Sequence, residues 1–557
     1  MLLDPATGNN FFGRENILAL LKKRADGLCF GYRQNVAIIG PSYYGKTSVL
    51  HRFVDTLQHA DIVPVYVEVK RQGFEVFAQR FITALLFRYL EAVEYRAGDK
   101  GELVTFASER LPKTAKAVKA AEALIRSGKG IKALRAIFEL PATAFAETGL
   151  RPIVILDEFH RMEDFAIENS FAELGQFIML QKDTMYIVSS SQINQAKKIL
   201  SEKLSLLFGN FEICELGTFD TKTAVEFVES RLGPAPLPKE YVEFLAAFTD
   251  GHPFYLDCIL LGLRDRISEG ADSDDTQTIA ATFAELLFDS KGILNQHFSS
   301  IVTALEEKDR RSSAILTAIA NGRRKVQHIA EASGLKAQEL GEVLEVLTDL
   351  GLVAPHGAYH LIRDKVFELW LRNVYQSKEY LLDSGYEPKI ARFNSEIKDF
   401  IRRSAETSRR DRSNLIGDVF TSFDGDLLEI GGKGFKLPRF ASFQVRQARV
   451  EGISYVILSG EKTAWAVMLS LRQVRDSDVI DFIEHCRQYK WLRRKVIITE
   501  AEIQANAKLL AKEAKCWIWG LNDLNTLLDL AGKQKVTLPV IGGETDQGNC
   551  LTEMETA

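Results

Sequence analysis

Short apolar runs separated by amphipathic stretches dominate residues 9–220. The runs are 36–39, 62–69, 152–156, 185–189 and 212–216, most of them rich in Val, Ile and Leu. Consecutive apolar positions over so few residues predict strands buried on both faces, as in a parallel sheet. The stretches between them carry helical spacing. Residues 48–57 predict a helix. Residues 74–95 place Phe77, Phe81, Leu85, Tyr89 and Val93 four apart, which makes one apolar face. Residues 103–128 are rich in Ala and Lys and hold Arg110, Lys113, Lys116, Lys119 and Arg126, which predicts an exposed helical insertion. Strands alternating with helices predict an α/β fold on a parallel sheet.

The pattern then changes twice. Helical spacing over 310–321, 325–334 and 336–351 is followed by a short hairpin at 352–362, turning at Pro355-His356-Gly357. Three helices and a hairpin predict a winged helix over 306–376. Its third helix, where base-reading side chains would sit, carries Lys336 against Glu339, Glu342, Glu345 and Asp349. Phosphates would be repelled by that face, so packing or relay is the expected role. From residue 390 a new α/β segment begins. The expected order is helix 391–405, strands 427–430, 452–458 and 464–471, helix 477–490, strand 494–499, helix 502–514, strand 516–520 and helix 522–530.

Chemistry concentrates at the ends of two predicted strands. The run 36–39 leads into Gly40-Pro41-Ser42-Tyr43-Tyr44-Gly45-Lys46-Thr47-Ser48, a G-x-x-x-x-G-K-T string that opens a helix. That context is the one a phosphate-binding loop requires. Glycines let backbone N–H groups turn toward phosphate oxygens, and the helix N-terminus adds a positive dipole end. Lys46 is placed to reach the β- and γ-phosphates, and Thr47 to ligate Mg²⁺. The run 152–156 ends in Asp157-Glu158. Ligands bind at the carboxyl ends of strands in open parallel sheets. Asp157 is expected to hold Mg²⁺ and Glu158 to polarise the attacking water. The strand 185–189 runs into Ser190-Ser191-Gln192, and Ser190 or Ser191 is the candidate to sense the γ-phosphate. His160 reads as a helix-face residue.

Charge and composition narrow the classes. The 557 residues suggest three or four domains, with 46% apolar and 26% charged side chains. A net charge of −5 excludes a chain-wide polycation. No uncharged apolar run reaches the ~18 residues of a membrane helix, and residues 1–13 lack a secretory pattern. Cys29, Cys214, Cys258, Cys486, Cys516 and Cys550 form no C-x-x-C pair. These traits predict a cytoplasmic protein with reduced thiols and no membrane partner.

The order of motifs carries a resemblance. Phe12-Gly13-Arg14-Glu15 precedes the loop. Ile155-Leu156-Asp157-Glu158-Phe159, Ser189-Ser190-Ser191, Ser201 to Gly209, and Asp250-Gly251-His252-Pro253-Phe254-Tyr255-Leu256 follow it. Over residues 9–375 this resembles the archaeal ATPase family, P-loop ATPases related to the AAA+ and STAND classes. The resemblance implies an ATPase core at 9–220, a helical lid at 221–305, ATP and Mg²⁺ as ligands, and Arg14 near the adenine. It also implies that His252 and Pro253 face the nucleotide at a turn that reports its state. Asn210 stands where the family often has an arginine, and 189–192 lacks one too. An arginine finger is therefore unassigned, with Arg231 the nearest substitute.

The segment 390–535 resembles the PD-(D/E)xK nuclease core, but Ser454 and Met468-Leu469-Ser470 stand where the catalytic Asp and Glu-x-Lys belong. A nuclease-like domain without nuclease activity is expected. Ahead of its main strands, residues 402–449 hold ten basic and six acidic side chains. Interleaved Phe420, Phe423, Phe435, Phe440 and Phe443 are candidates to stack bases. The acidic tail 541–557 is expected to be disordered. The leading expectation is an ATP-driven regulatory switch with a protein partner or a second copy of itself. The alternatives are an ATP-gated nucleic-acid binder acting through 402–449, and an ATP-binding scaffold that does not hydrolyse.

Overall fold

The computed structural model describes residues 4–93, 100–204, 211–233, 237–268, 275–376, 386–409, 411–499, 501–533 and 535–536. The motif residues 205–210, Arg410, Cys550 and the tail 541–557 lie outside the described residues. The chain divides into two compact units. The first comprises residues 1–219, 251–262 and 341–353, and the second 220–250, 263–340 and 354–557.

The first unit is built on five parallel strands: β1 (Asn35–Ile39), β2 (Ile62–Glu68), β3 (Arg151–Asp157), β4 (Met185–Ser190) and β5 (Phe211–Glu215). Their order is β2-β3-β4-β1-β5. Strand β1 is buried at every position and β3 at all but its first, as expected for strands covered on both faces. Pairing of Ile38 with Ser189 and of Leu156 with Val188 brings the carboxyl ends of β1, β3 and β4 to one edge. Strand β4 separates the loop strand from the acid-bearing strand. This is the fold of a P-loop NTPase.

Helix Gly73–Ala92 buries Phe77, Phe81, Leu85 and Tyr89. The insertion expected to be exposed is half core. Helices Lys100–Arg110 and Pro112–Arg126 bury Leu103, Ala107, Ala115, Val118 and Ala121 in the same apolar cluster as the sheet. Lys113, Lys116, Lys119 and Arg126 are exposed. Small alanines permit the close packing, while the lysines mark only the outer face.

The second unit begins with helices Thr221–Leu232 and Lys239–Phe248, the first capped by Asp220 accepting from the Thr223 N–H at 2.8 Å. Helices Asp275–Phe288 and Ile293–Lys308 follow, then Arg311–Ala320, Val326–Ser333 and Ala337–Asp349, which crosses the division between units. Strands β6 (Val353–His356) and β7 (Tyr359–Ile362) make the wing. The wing is occupied. Tyr359 and Leu361 join the apolar cluster of Leu415, Phe420 and Leu428. The Ala358 N–H donates to Leu427 O at 2.9 Å. Lys325 Nζ and the Tyr359 hydroxyl both bond Asp426, at 2.7 and 2.8 Å. Burial alone would raise Asp426, but those two hydrogen bonds, the Asp424 N–H and the Lys325 charge together hold the carboxyl below its ordinary value.

The C-terminal sheet runs β10 (Ser442–Gln447), β11 (Ile453–Ser459), β12 (Ala464–Ser470), β13 (Leu492–Thr499) and β14 (Cys516–Trp519) in that order. The first three are antiparallel and the last two continue parallel. Its first strand differs from the sequence expectation. Residues 427–430 form β8 (Leu427–Ile430), which pairs with β9 (Lys433–Lys436) in a separate hairpin. The sheet instead takes 442–447, whose Ser442, Gln444 and Arg446 are exposed while Phe443 and Val445 turn inward. Alternation of this kind is the mark of a strand with one wet face.

Candidate functional site

Between β1 and helix Lys46–Thr56, backbone geometry makes the loop. A side chain at Gly40 would meet Leu216 O at 2.4 Å, so only glycine fits there. Gly45 has φ +90 and Tyr43 φ +64; such left-handed residues turn successive N–H groups inward. Lys46 is buried, its ammonium donating to Pro41 O at 2.8 Å and standing 4.0 Å from Glu158 Oε1. Burial lowers the Lys46 pKa, with Glu158 and Asp157 opposing the shift. The Ser48 hydroxyl accepts the Ala6 N–H at 2.9 Å, fastening the N-terminal segment to the loop helix.

Asp157 is only 1% exposed, at the end of β3, and receives three hydroxyls. Thr47 Oγ1 and the Tyr66 hydroxyl bond its Oδ2, each at 2.8 Å, and Ser189 Oγ bonds Oδ1. Burial, then Asp157, push the Tyr66 phenol far above its ordinary value, so it stays a donor. Glu158 adopts φ +56, ψ +42, a conformation that costs a non-glycine residue about 1 kcal/mol or more. The turn delivers its carboxylate to Ser191, whose N–H and hydroxyl donate to Oε2 at 2.9 and 2.7 Å. Ser190 lies elsewhere: its fully buried hydroxyl pairs with His160 Nδ1 at 2.9 Å and accepts the Gln192 N–H at 3.0 Å.

Three neighbours were not expected at the site. His160, expected as a helix-face residue, is buried, with Nδ1 3.3 Å from Glu158 Oε2. Burial lowers its pKa, and Glu158 opposes that shift. Arg161, on the same turn, donates to Val69 O at 3.3 Å and electrostatically depresses both Lys46 and His160. Tyr66 is the third. Its place on β2 beside an acid-bearing strand was the signal available, because Tyr66 pairs with Ile155, two residues before Asp157.

Arg14 takes φ +69 and donates to Gly217 O at 2.6 Å, Tyr44 O at 3.2 Å and Thr218 O at 3.4 Å, with its guanidinium 4.7 Å from the Phe219 ring centre. It clamps the loop to the segment after β5. His252 and Pro253 open helix Pro253–Ser268. A side chain at Gly251 would strike Phe219 O at 2.2 Å, so the turn before that helix needs glycine. The His252 ring meets Tyr44 edge-on at 4.7 Å and stacks on Tyr255 at 3.8 Å, while Tyr43 stacks on Phe254 at 4.7 Å. Both loop tyrosines are thus in ring contact with the turn. Arg231 lies over Phe227 of its own helix at 5.0 Å.

At the nuclease-like positions, Ser454 and Ser413 share a hydrogen bond at 2.6 Å, and Ser470 bonds Arg472 O at 2.7 Å. Met468, Leu469 and Ser470 are buried. The nearby Asp478 is paired twice with Arg472, at 2.7 and 3.1 Å. Of the phenylalanines expected to stack bases, Phe420, Phe423, Phe435 and Phe440 are core residues, and Phe443 packs against that core. Among the described residues no helix is long and apolar enough to cross a membrane.

No model of a known protein family matches the chain, and no curated protein matches it. Solved structures do. The Walker-type ATPase PABY2304 of Pyrococcus abyssi is 16% identical with a TM-score of 0.46, covering 67% of this chain and 99% of that one. The ORC2 protein of Aeropyrum pernix is 15% identical with a TM-score of 0.44, over 68% of this chain and 98% of its own. A RuvB variant of Thermotoga maritima is 18% identical with a TM-score of 0.33, over 69% and 100%.

Proposed function

We propose that the chain binds ATP and hydrolyses it as a regulatory switch. The observation that carries this reading is the convergence on one sheet edge of Lys46, Thr47, Asp157 and Glu158, with Thr47 bonded to Asp157 at 2.8 Å and Lys46 4.0 Å from Glu158. Loop N–H groups and Lys46 take the phosphates. Thr47 and Asp157 are the pair that would hold Mg²⁺, and their hard oxygen donors fit it. Bound there, the ion would neutralise charge on the phosphate oxygens. Glu158, kept in place by Ser191, accepts the proton of the attacking water. Tyr44 against His252 and Tyr43 against Phe254 connect the loop to the start of helix Pro253–Ser268, and Arg14 ties it to Gly217 and Thr218, so phosphate binding at the loop is felt at that turn.

The test is ATP turnover by the full chain and two variants. Glu158→Gln should bind ATP and lose hydrolysis by about 100-fold or more. Lys46→Ala should lose binding. Equal turnover in the natural chain and Glu158→Gln would leave only a non-hydrolysing scaffold. Capture of a partner or a second copy by Glu158→Gln with ATP, and not with ADP, is the expected sign of a switch.

Nucleic acid is the second reading. It rests on Lys433, Lys436, Arg439, Arg446 and Arg449, all exposed. It predicts salt-dependent electrophoretic shifts with DNA or RNA, and no shift at low salt removes it.

A further inference from the structure

The second unit holds a half-open cavity of about 320 Å³ that the ATPase reading does not use. Its walls come from helix Lys239–Phe248, the residues around the wing, helix Tyr386–Arg409 and the end of helix Leu521–Leu530. Six cations line it: Arg324, Lys365, Arg372, Arg403, Lys533 and Lys535. Three carboxylates face them. Glu368 is shared by Arg324 at 3.5 Å and Lys365 at 3.0 Å. Asp529 is shared by Lys365 at 3.3 Å and Lys535 at 3.8 Å, and Glu396 holds Arg372. A further acid, Asp250, bonds Lys535 at 2.7 Å from outside the lining.

The charges do not close. Arg403 and Lys533, both exposed at the rim, have no carboxylate partner among the described residues. Arg324 Nε is buried and has no acceptor among the described residues. Burial would lower the Lys535 ammonium, but Asp250 and Asp529 more than offset it, and its pKa lies above the ordinary lysine value. The lining thus stays cationic at neutral pH. It also carries aromatic surface. Phe248 and Phe400 are half-buried, with ring centres 5.8 Å apart. The guanidinium of Arg403 lies 5.0 Å from the Phe400 ring centre and that of Arg372 5.9 Å.

We propose that this cavity binds a nucleotide of one base, separately from the phosphate loop. An excess of guanidinium and ammonium groups selects phosphate. Phenylalanine rings and a guanidinium plane accept a base face. The volume sits at the small end of ligand sites, which suits a mononucleotide better than a dinucleotide. Because the walls join a helix of the expected lid, the wing region and the C-terminal domain, such a ligand would bear on all three.

The test uses the full chain with Lys46→Ala, so that the loop cannot contribute. Adenosine, guanosine, cytidine and uridine 5′-monophosphates, and inorganic phosphate, are titrated by calorimetry. At least one nucleotide should bind with Kd below about 1 mM. Adding Arg403→Glu and Lys533→Glu should weaken it about tenfold or more, and inorganic phosphate should bind about tenfold more weakly than the nucleotide. The same charge reversals in a chain with Lys46 intact should keep ATP binding, which shows that the fold survives. Absence of nucleotide binding, binding indifferent to the reversals, or phosphate as tight as nucleotide would each overturn the proposal. Failure here leaves the ATPase reading standing, since turnover at Glu158 is measured without these variants.

Discussion

At the residue scale the site turns on which serine faces Glu158. Ser190 and Ser191 are adjacent, yet one is sealed against His160 and the other gives Glu158 two hydrogen bonds. Ser191→Ala removes one of those donors and leaves the backbone N–H. Hydrolysis should fall about tenfold with KM unchanged, because the bond positions a base and touches no phosphate. A rise in KM with constant kcat would instead assign Ser191 to ATP itself. His297 offers a separate test by pH. Burial lowers its pKa from 6.5 to about 4. The unfolded chain therefore binds the extra proton first, and stability rises with pH. The contribution is full above pH 6.5 and is lost as pH falls toward 4. His297 is half-buried, so the loss should be about 2 kcal/mol rather than the full linkage value. Urea unfolding of His297→Gln should show a correspondingly flatter pH dependence than the natural chain, and identical slopes would remove the histidine from the account.

At the element scale the wing is the decisive case. Gly357 has φ +73, and a side chain there would meet Leu427 O at 2.4 Å. Gly357→Ala should destabilise the second unit by about 2 kcal/mol or more, from backbone strain and lost docking together. Gly322, at φ +85 with open space around it, is the control: Gly322→Ala carries the strain alone. All five tryptophans, at 370, 465, 491, 517 and 519, lie in the second unit. Tryptophan fluorescence during unfolding therefore reports on that unit, and equal midpoints for the two variants would mean the wing is not held by this contact. The same elements show what the sequence conveyed and what it withheld. Lys46, Thr47, Asp157 and Glu158 were legible because their roles follow from a short string between a strand and a helix. The phenylalanines of 420–443 were not, since exposure depends on which strand they meet. Phe435 faces Trp465, Trp517 and Trp519, which follow it by thirty residues or more. Strand β10 was hidden because its polar positions read as part of a basic stretch. The choice between Ser190 and Ser191 stayed open because a turn after β4, and not spacing, decides which hydroxyl points where.

At the scale of the whole molecule, a net charge of −5 describes no local surface. The helix Ala337–Asp349 exposes Glu339, Glu342 and Glu345, while the cavity lining of the second unit is cationic. Charge therefore sorts the C-terminal domain's chemistry better than its topology does. Its sequence resembles a nuclease core, but hydrolysis of a phosphodiester needs carboxylates that can hold a metal ion and a group that activates water. Ser454 spends its hydroxyl on Ser413. Met468 and Leu469 are apolar and buried. One nearby carboxylate, Asp478, is 3% exposed, bound twice by Arg472 and once more by the Arg475 N–H at 2.8 Å. Freeing it for a metal would break its ion pair with the half-buried Arg472 and its hydrogen bond from the Arg475 N–H. The full chain should therefore leave single- and double-stranded DNA intact in Mg²⁺ or Mn²⁺, with or without ATP. Metal-dependent cleavage that persists in Lys46→Ala would show that the domain assembles a metal site from other residues. Cleavage lost in Lys46→Ala would place the activity under the loop instead. Either result would make the C-terminal domain an effector with its own chemistry, whereas intact DNA agrees with the expected loss of nuclease activity.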